Sequence, residues 1–146
     1  MDDTKAKWEV GTGRSLLGLY FLVPGIMKFL APDMHIALMA HHGIGFAPPL
    51  MWFAAIVNVA GGLALISGRH VRLVAFGFVI YILLVNALLH DFWNFDGIEG
   101  AHEMQNFIKN LGILAGLLVL AGACKPRAVS LTNWWKPDRA VSAPSV

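Results

Sequence analysis

Four apolar blocks divide the chain, at residues 15–31, 50–66, 71–89 and 107–123, and nearly all the charged residues fall between them. Each block holds roughly 17 to 19 residues; at about 1.5 Å of rise per residue that is on the order of 25–29 Å, close to the hydrocarbon thickness of a bilayer. A helix in a soluble bundle would carry a polar stripe at helical spacing, whereas residues 73–89 are apolar almost all round. The pattern predicts an all-α integral membrane four-helix bundle with spans at about 15–31, 50–66, 71–92 and 106–123. Residues 14–124 form the transmembrane domain, residues 1–13 a polar N-terminal segment and residues 125–146 a tail. The second loop, Ser67-Gly68-Arg69-His70, is so short that the second and third spans must be antiparallel neighbours. In the first loop, Pro32-Asp33 followed by residues 34–42 and Gly43 predicts a short helix with an Asp cap and a Gly stop. It is expected along the membrane surface, with Ile36, Met39 and Ala40 toward lipid. Gly112 with Gly116, and Gly61 with Gly62, mark where helices are expected to approach closely.

Composition strengthens the membrane reading: 57% of residues are hydrophobic, only 14% are charged, and the mean hydropathy is +0.63. The net charge of +2 is small and its positive residues dispersed, which excludes a nucleic-acid partner. Their placement is more telling. Lys5, Lys7 and Arg14 precede the first span, Arg69 and Arg72 lie in the second loop, and Lys125, Arg127, Lys136 and Arg139 lie in the tail, leaving only Lys28 and Lys109 elsewhere. The positive-inside rule then puts both termini in the cytoplasm, N-in/C-in. The first span is expected to be retained rather than cleaved, because it carries Pro24 and Lys28 and ends without a small-residue cleavage pattern. Trp52 and Trp93 fall at outer span ends and Trp8, Trp134 and Trp135 at the inner side, as interfacial rings prefer. Cys124 is the single cysteine, so a mechanism that shuttles electrons through a cysteine pair within the chain is excluded.

Candidate chemistry gathers at one end. His35, His41, His42, His90 and His102 all fall on the expected outer side, together with Asp33, Asp91, Asp96, Glu99 and Glu103. Polar residues at membrane depth share the bias: Lys28, Asn58, Asn86, His90, Asn106, Lys109 and Asn110. Such groups are costly in lipid and should turn inward and pair. Asn86 and His90 are spaced i, i+4, and Asn106, Lys109 and Asn110 i, i+3, i+4, so each set shares a helix face. These faces predict an outward-opening polar pocket, with Lys28 and Lys109 balanced by Asp91 and Glu103, suited to a quinone headgroup or an anion. The competing reading is that the same groups cap helix ends, snorkel to the headgroups and hold the bundle together. His90, His102 and Glu103 are of metal-ligand type but lack a ligand spacing, and a bis-His haem would need a second histidine within a span, so metal and haem are not expected. No span carries Asp or Glu in its apolar block, which argues against a proton-coupled antiporter.

These residues resemble the DoxX family of small bacterial inner-membrane proteins. The resemblance is carried by 14–22 (RSLLGLYFL) running on to 25–29 (GIMKF), by 61–65 (GGLAL) before Gly68, by 90–93 (HDFW), and by 106–111 (NFIKNL) with 116–118 (GLL). It covers about residues 14–121. Family members often carry a Glu three residues before the paired glycines, where this chain has Asn58. The resemblance implies a four-helix subunit of the inner (cytoplasmic) membrane associated with a quinone-linked or thiol/sulfur redox system, an accessory subunit more than a self-sufficient enzyme. Its partners would be the lipid bilayer and a protein partner or further copies of itself. The alternatives are a non-enzymatic structural subunit of a larger membrane complex and, lacking an internal inverted repeat, a small-molecule permease.

Overall fold

The structure is a computed structural model that describes residues 3–125 (side chains from residue 7), 127 and 134–138. The expected tail therefore lies largely outside the described residues, as do residues 1–2. Among the described residues five α-helices follow one another: α1 (Asp3–Leu30), α2 (Pro32–His41), α3 (Ala47–Ser67), α4 (Val71–Leu89) and α5 (Gly97–Ala123), with one 3₁₀ turn at Phe92–Asn94. Four stretches of the described residues are long and apolar enough to cross a membrane: Lys7–Leu30, Ala47–Ser67, Val71–Asn94 and Gly97–Ala123. The four-helix membrane fold is as the hydropathy predicts, but α1 and α5 begin well before their apolar blocks. Hydropathy locates the part of a helix that lipid tolerates, not where its backbone hydrogen bonding starts, and neither 3–14 nor 97–105 holds a proline to break the ladder.

One end of the bundle carries Arg14, Arg69 and Arg72 and is called the arginine end; the other carries five of the six histidines and is called the histidine end. At the arginine end α3 closes on Gly68, whose φ of 72° permits the left-handed turn that returns the Arg69 N–H to the Ala64 carbonyl. Residues 134–138 fold across this turn. The Val71 N–H donates to Asp138 Oδ2 at 2.7 Å, so a carboxylate from the tail caps α4, and the Asp138 N–H donates to the Gly68 carbonyl at 2.7 Å. Arg127 pairs with Asp138 at 2.9 Å, and His70 donates to the Trp134 carbonyl at 3.0 Å.

The helices associate as two antiparallel pairs, α1 with α3 and α4 with α5; α3 and α4, though joined by the short turn, touch less. Glycine explains the tighter pair. A Cβ added at Gly62 would lie 2.8 Å from the Gly18 carbonyl, one at Gly18 would lie 2.8 Å from the Gly62 carbonyl, and one at Gly25 would lie 2.9 Å from Asn58 Cβ. Backbone therefore meets backbone along α1–α3, where helices in lipid gain most from dispersion. The expectation for α5 needs correcting: a Cβ at Gly112 would meet nothing within 4 Å and one at Gly116 only Leu17 at 3.9 Å, so neither marks a close crossing. The two pairs join at mid-depth and toward the arginine end. There Phe21 stacks on Phe78, with centroids 3.7 Å apart and planes 6° from parallel, amid Leu65, Val71, Ala75, Ile82, Leu117, Leu120 and Ala121.

Because Gly25 sits level with Asn58 and Val59, α1 runs only five residues further, to Leu30, while α3 has eleven residues back to Ala47. At 1.5 Å per residue α1 stops about 9 Å short of its partner. The short helix α2 fills that step. Its existence matches the sequence reading, but Asp33 makes no cap hydrogen bond and Pro32 opens the helix instead. Its orientation also differs. Met39 is buried against Ala47 and Met51, with Ile36 packed beside it, so α2 turns these residues onto the bundle rather than toward lipid; Ala40, Met34 and Leu38 remain exposed. The apolar residues of so short a helix find a better partner in the exposed start of α3 than in the headgroup region.

Candidate functional site

Between the two pairs, in the histidine half of the bundle, lies a cavity of about 750 Å³. Its walls are mostly apolar, and several of them, Leu19, Val23, Phe53, Leu84 and Leu88, are also exposed on the outside of the bundle. The cavity is thus open sideways, where lipid would lie. Pro24 lines it on α1; lacking an N–H, Pro24 leaves the Tyr20 carbonyl without its usual helical donor.

Polar groups enter this apolar space at two levels. The deeper level is a hydrogen-bonded chain of asparagines and tyrosines. Tyr20 donates to Asn110 Oδ1 at 2.9 Å, Asn110 Nδ2 donates to Asn86 Oδ1 at 2.9 Å, and Asn86 Nδ2 donates to the Phe107 carbonyl at 3.1 Å. Each amide is thereby satisfied, and together they fasten α1, α4 and α5. Asn58 Nδ2 donates to the Tyr81 hydroxyl at 3.1 Å, while Asn58 Oδ1 is buried without a partner. An unpaired amide oxygen in an apolar interior costs on the order of 1–3 kcal/mol. The shallower level carries Lys28, His35, His90, Asn106 and Lys109. His35 donates its Nδ1–H to the Ala31 carbonyl at 2.8 Å, and His90 Nδ1 meets Glu103 Oε2 at 2.6 Å. Each bond fixes the ring and leaves Nε2 as its other nitrogen.

Of the sequence-predicted site residues, Lys28, Asn58, His90, Asn106, Lys109 and Asn110 line the cavity. Asn86 stands behind the wall in the amide chain, Glu103 behind His90, and Asp91 to one side. The expected balance of Lys28 and Lys109 by Asp91 and Glu103 is not what forms. Asp91 instead pairs with His42 at 2.7 Å, where the His42 side chain is only 2% exposed, and also accepts from Asn94 at 2.6 Å. Glu103 pairs with His90 and Glu99 with His41, the latter at 2.7 Å. The reason is topological: the α2–α3 loop and the start of α5 bring histidines and acids together above the cavity, while both lysines project from helix sides below. Lys28 reaches only the Pro24 carbonyl at 3.5 Å, and Lys109 reaches Asn106 Oδ1 at 2.9 Å. His102 is exposed, and among the described residues no three His, Cys, Asp or Glu side chains gather as a metal would need. Sequence reasoning missed Tyr20, Tyr81 and His35. The signal available for the tyrosines was that they are the only two in the chain, each in the middle of an apolar run.

Four membrane-crossing helices in two antiparallel pairs, one of them closed along glycines, and a lipid-open cavity define an integral membrane four-helix bundle. The DoxX family model matches residues 10–91, more than half of the sequence, and the chain belongs to the DoxX family. The match covers α1 to α4 and stops before α5. The chain is also 28% identical over 113 residues to the inner membrane protein YphA of Escherichia coli (strain K12), covering 77% of this chain and 80% of that protein. Family, relative and four apolar crossings together make it a multi-pass inner-membrane protein. No solved structure matches it.

Proposed function

We propose that this DoxX-family protein is the membrane subunit of a quinone-linked or thiol/sulfur redox system, and that its cavity takes a membrane-soluble ligand with a quinone-like or anionic headgroup. The observation that carries this reading is the make-up of the cavity, apolar and open toward lipid yet furnished with a few convergent polar groups, as small-molecule sites are. Lys28, Lys109 and His90 supply donors or positive charge, Asn106 and Asn110 hydrogen-bond partners, and Asn58 with Tyr81 the deepest polar contact. Asn86, Asp91 and Glu103 hold this set in place. The arginine end faces the cytoplasm, so the cavity lies in the outer half of the 14–124 membrane domain.

Organic extraction of gently purified protein followed by chromatography tests the ligand. If the headgroup is a quinone, bound quinone should be recovered from the wild type and lost in a Lys28→Ala, Lys109→Ala double variant; quinone-free wild-type protein would remove the quinone arm of the proposal. Reporter fusions at the two termini and in the α4–α5 connection test the orientation. A second reading, a structural subunit that packs in a larger membrane complex, draws on Gly77 and Gly112, where an added Cβ would meet nothing within 4 Å, so each could admit a neighbouring helix. Migration at monomer mass on a native gel in mild detergent, with no co-purifying protein, would count against it.

A further inference from the structure

We infer that the cavity's occupant is an anionic amphiphile, a negatively charged headgroup on an apolar chain, with the charge seated between Lys28 of α1 and Lys109 of α5. The inference rests on the cavity being a ligand site, as proposed above, but not on the ligand being a quinone. Three observations carry it. The first is that the lining contains two lysines and two histidines and not one carboxylate. The second is that none of the described ion pairs involves a lysine, because Asp91, Glu99 and Glu103 are taken up by His42, His41 and His90. The ammonium groups have only neutral oxygens within reach, at 3.5 Å for Lys28 and 2.9 Å for Lys109.

The third is depth. Lys28 is three residues beyond Gly25, which packs against Asn58 and Val59, so it lies level with a point some eight residues inside α3, about 12 Å from that helix's start. An ammonium this far along a membrane helix needs a counter-charge or a route to water. The described residues supply no counter-charge at this level, whereas a headgroup could. Leu19, Val23, Leu84 and Leu88 then offer the apolar tail a path out to the bilayer. A carboxylate or a lipid phosphate would serve equally as the charge.

Spin-labelled stearate and its methyl ester, compared in phosphatidylcholine proteoliposomes at alkaline pH, separate charge from chain. Spin-labelled phosphatidylglycerol tests the phosphate form, and decylubiquinone is added as a neutral competitor. Stearate is expected to associate with the wild type more strongly than its ester. That preference should fall about fivefold for each lysine removed in Lys28→Gln and Lys109→Gln, and return in Lys28→Arg, Lys109→Arg. Equal association of acid and ester, or a preference that survives the double Gln variant, overturns the inference. Sodium phosphate that abolishes the preference at constant ionic strength also overturns it, because the seat would then take a free anion. If decylubiquinone displaces the ester while stearate shows no preference, the inference falls and the quinone reading stands. If no probe is preferred and decylubiquinone displaces none, both fall.

Discussion

The two halves of this bundle solve opposite problems with the same four helices. Toward the arginine end, rings and aliphatic side chains from both helix pairs interlock around Phe21 and Phe78, with the rings of Tyr20 and Tyr81 packed at the edge of the cluster. Toward the histidine end amides and tyrosines take the place of aliphatic contacts between the pairs, and a cavity lies between them. In lipid there is little hydrophobic gain from bringing helices together, so dispersion and hydrogen bonding decide association. The first half is held by dispersion, and the second is held by a few hydrogen bonds that leave room between them. Rigidity at one end is what allows an open site at the other.

Changes that remove dispersion should therefore cost most at the arginine half. Phe78→Ala is expected to destabilise the protein by about 3 kcal/mol or more, whereas Leu88→Ala, beside the cavity and half-exposed, should cost less than about 1 kcal/mol. Reversible denaturation in mixed micelles measures both, and equal costs would dissolve the contrast. The glycine seam gives a sharper pair. Gly62→Ala forces a methyl group against the Gly18 carbonyl and should cost about 1–3 kcal/mol. Gly112→Ala, facing open space, should stay within about 0.5 kcal/mol of wild type.

Within the histidine half the two best-buried asparagines should behave differently. Asn110→Leu strips partners from both Tyr20 and Asn86 and should cost about 1–2 kcal/mol, while Asn58→Leu removes an unpaired oxygen along with one hydrogen bond and should be near neutral. The smallest effect belongs to Cys124 at the end of α5. Burial pushes its thiol pKa up, so the folded state holds this proton more tightly than the unfolded chain. Its contribution is complete below the ordinary thiol pKa and declines as pH rises above it. Maleimide labelling of native protein should be slower than that of unfolded protein at neutral pH, and the gap should narrow as pH climbs.

The number of crossings was legible because lipid imposes a length and polarity requirement that a sequence cannot hide. Which faces meet was not, since lipid and a neighbouring helix are both apolar and a stretch such as residues 73–89 carries no stripe. Gly18 and Gly25 were invisible for the same reason: a close crossing is a relation between two helices, and nothing in α1 alone distinguishes them from Gly11 or Gly13. The polar residues at depth were legible as a set, and six of the seven line the cavity. Their pairing was not, because histidines 41 and 42 reach the α4–α5 region only once α2 folds back over the stunted end of α1. Tyr20 and Tyr81 were hidden by their rings, which pass for ordinary apolar residues until a hydroxyl finds an amide.

The division into α1–α3 and α4–α5 bears on how the protein is made. Each pair is a hairpin of crossings adjacent in the chain, so the first can leave the translocation machinery already zipped along its glycines before the second has been synthesised. Docking of the finished hairpins then creates the cavity as the last act of assembly. The break between them falls at the Gly68–Arg69 turn, so two fragments, 1–68 and 69–146, expressed together should find each other in the membrane and rebuild the whole.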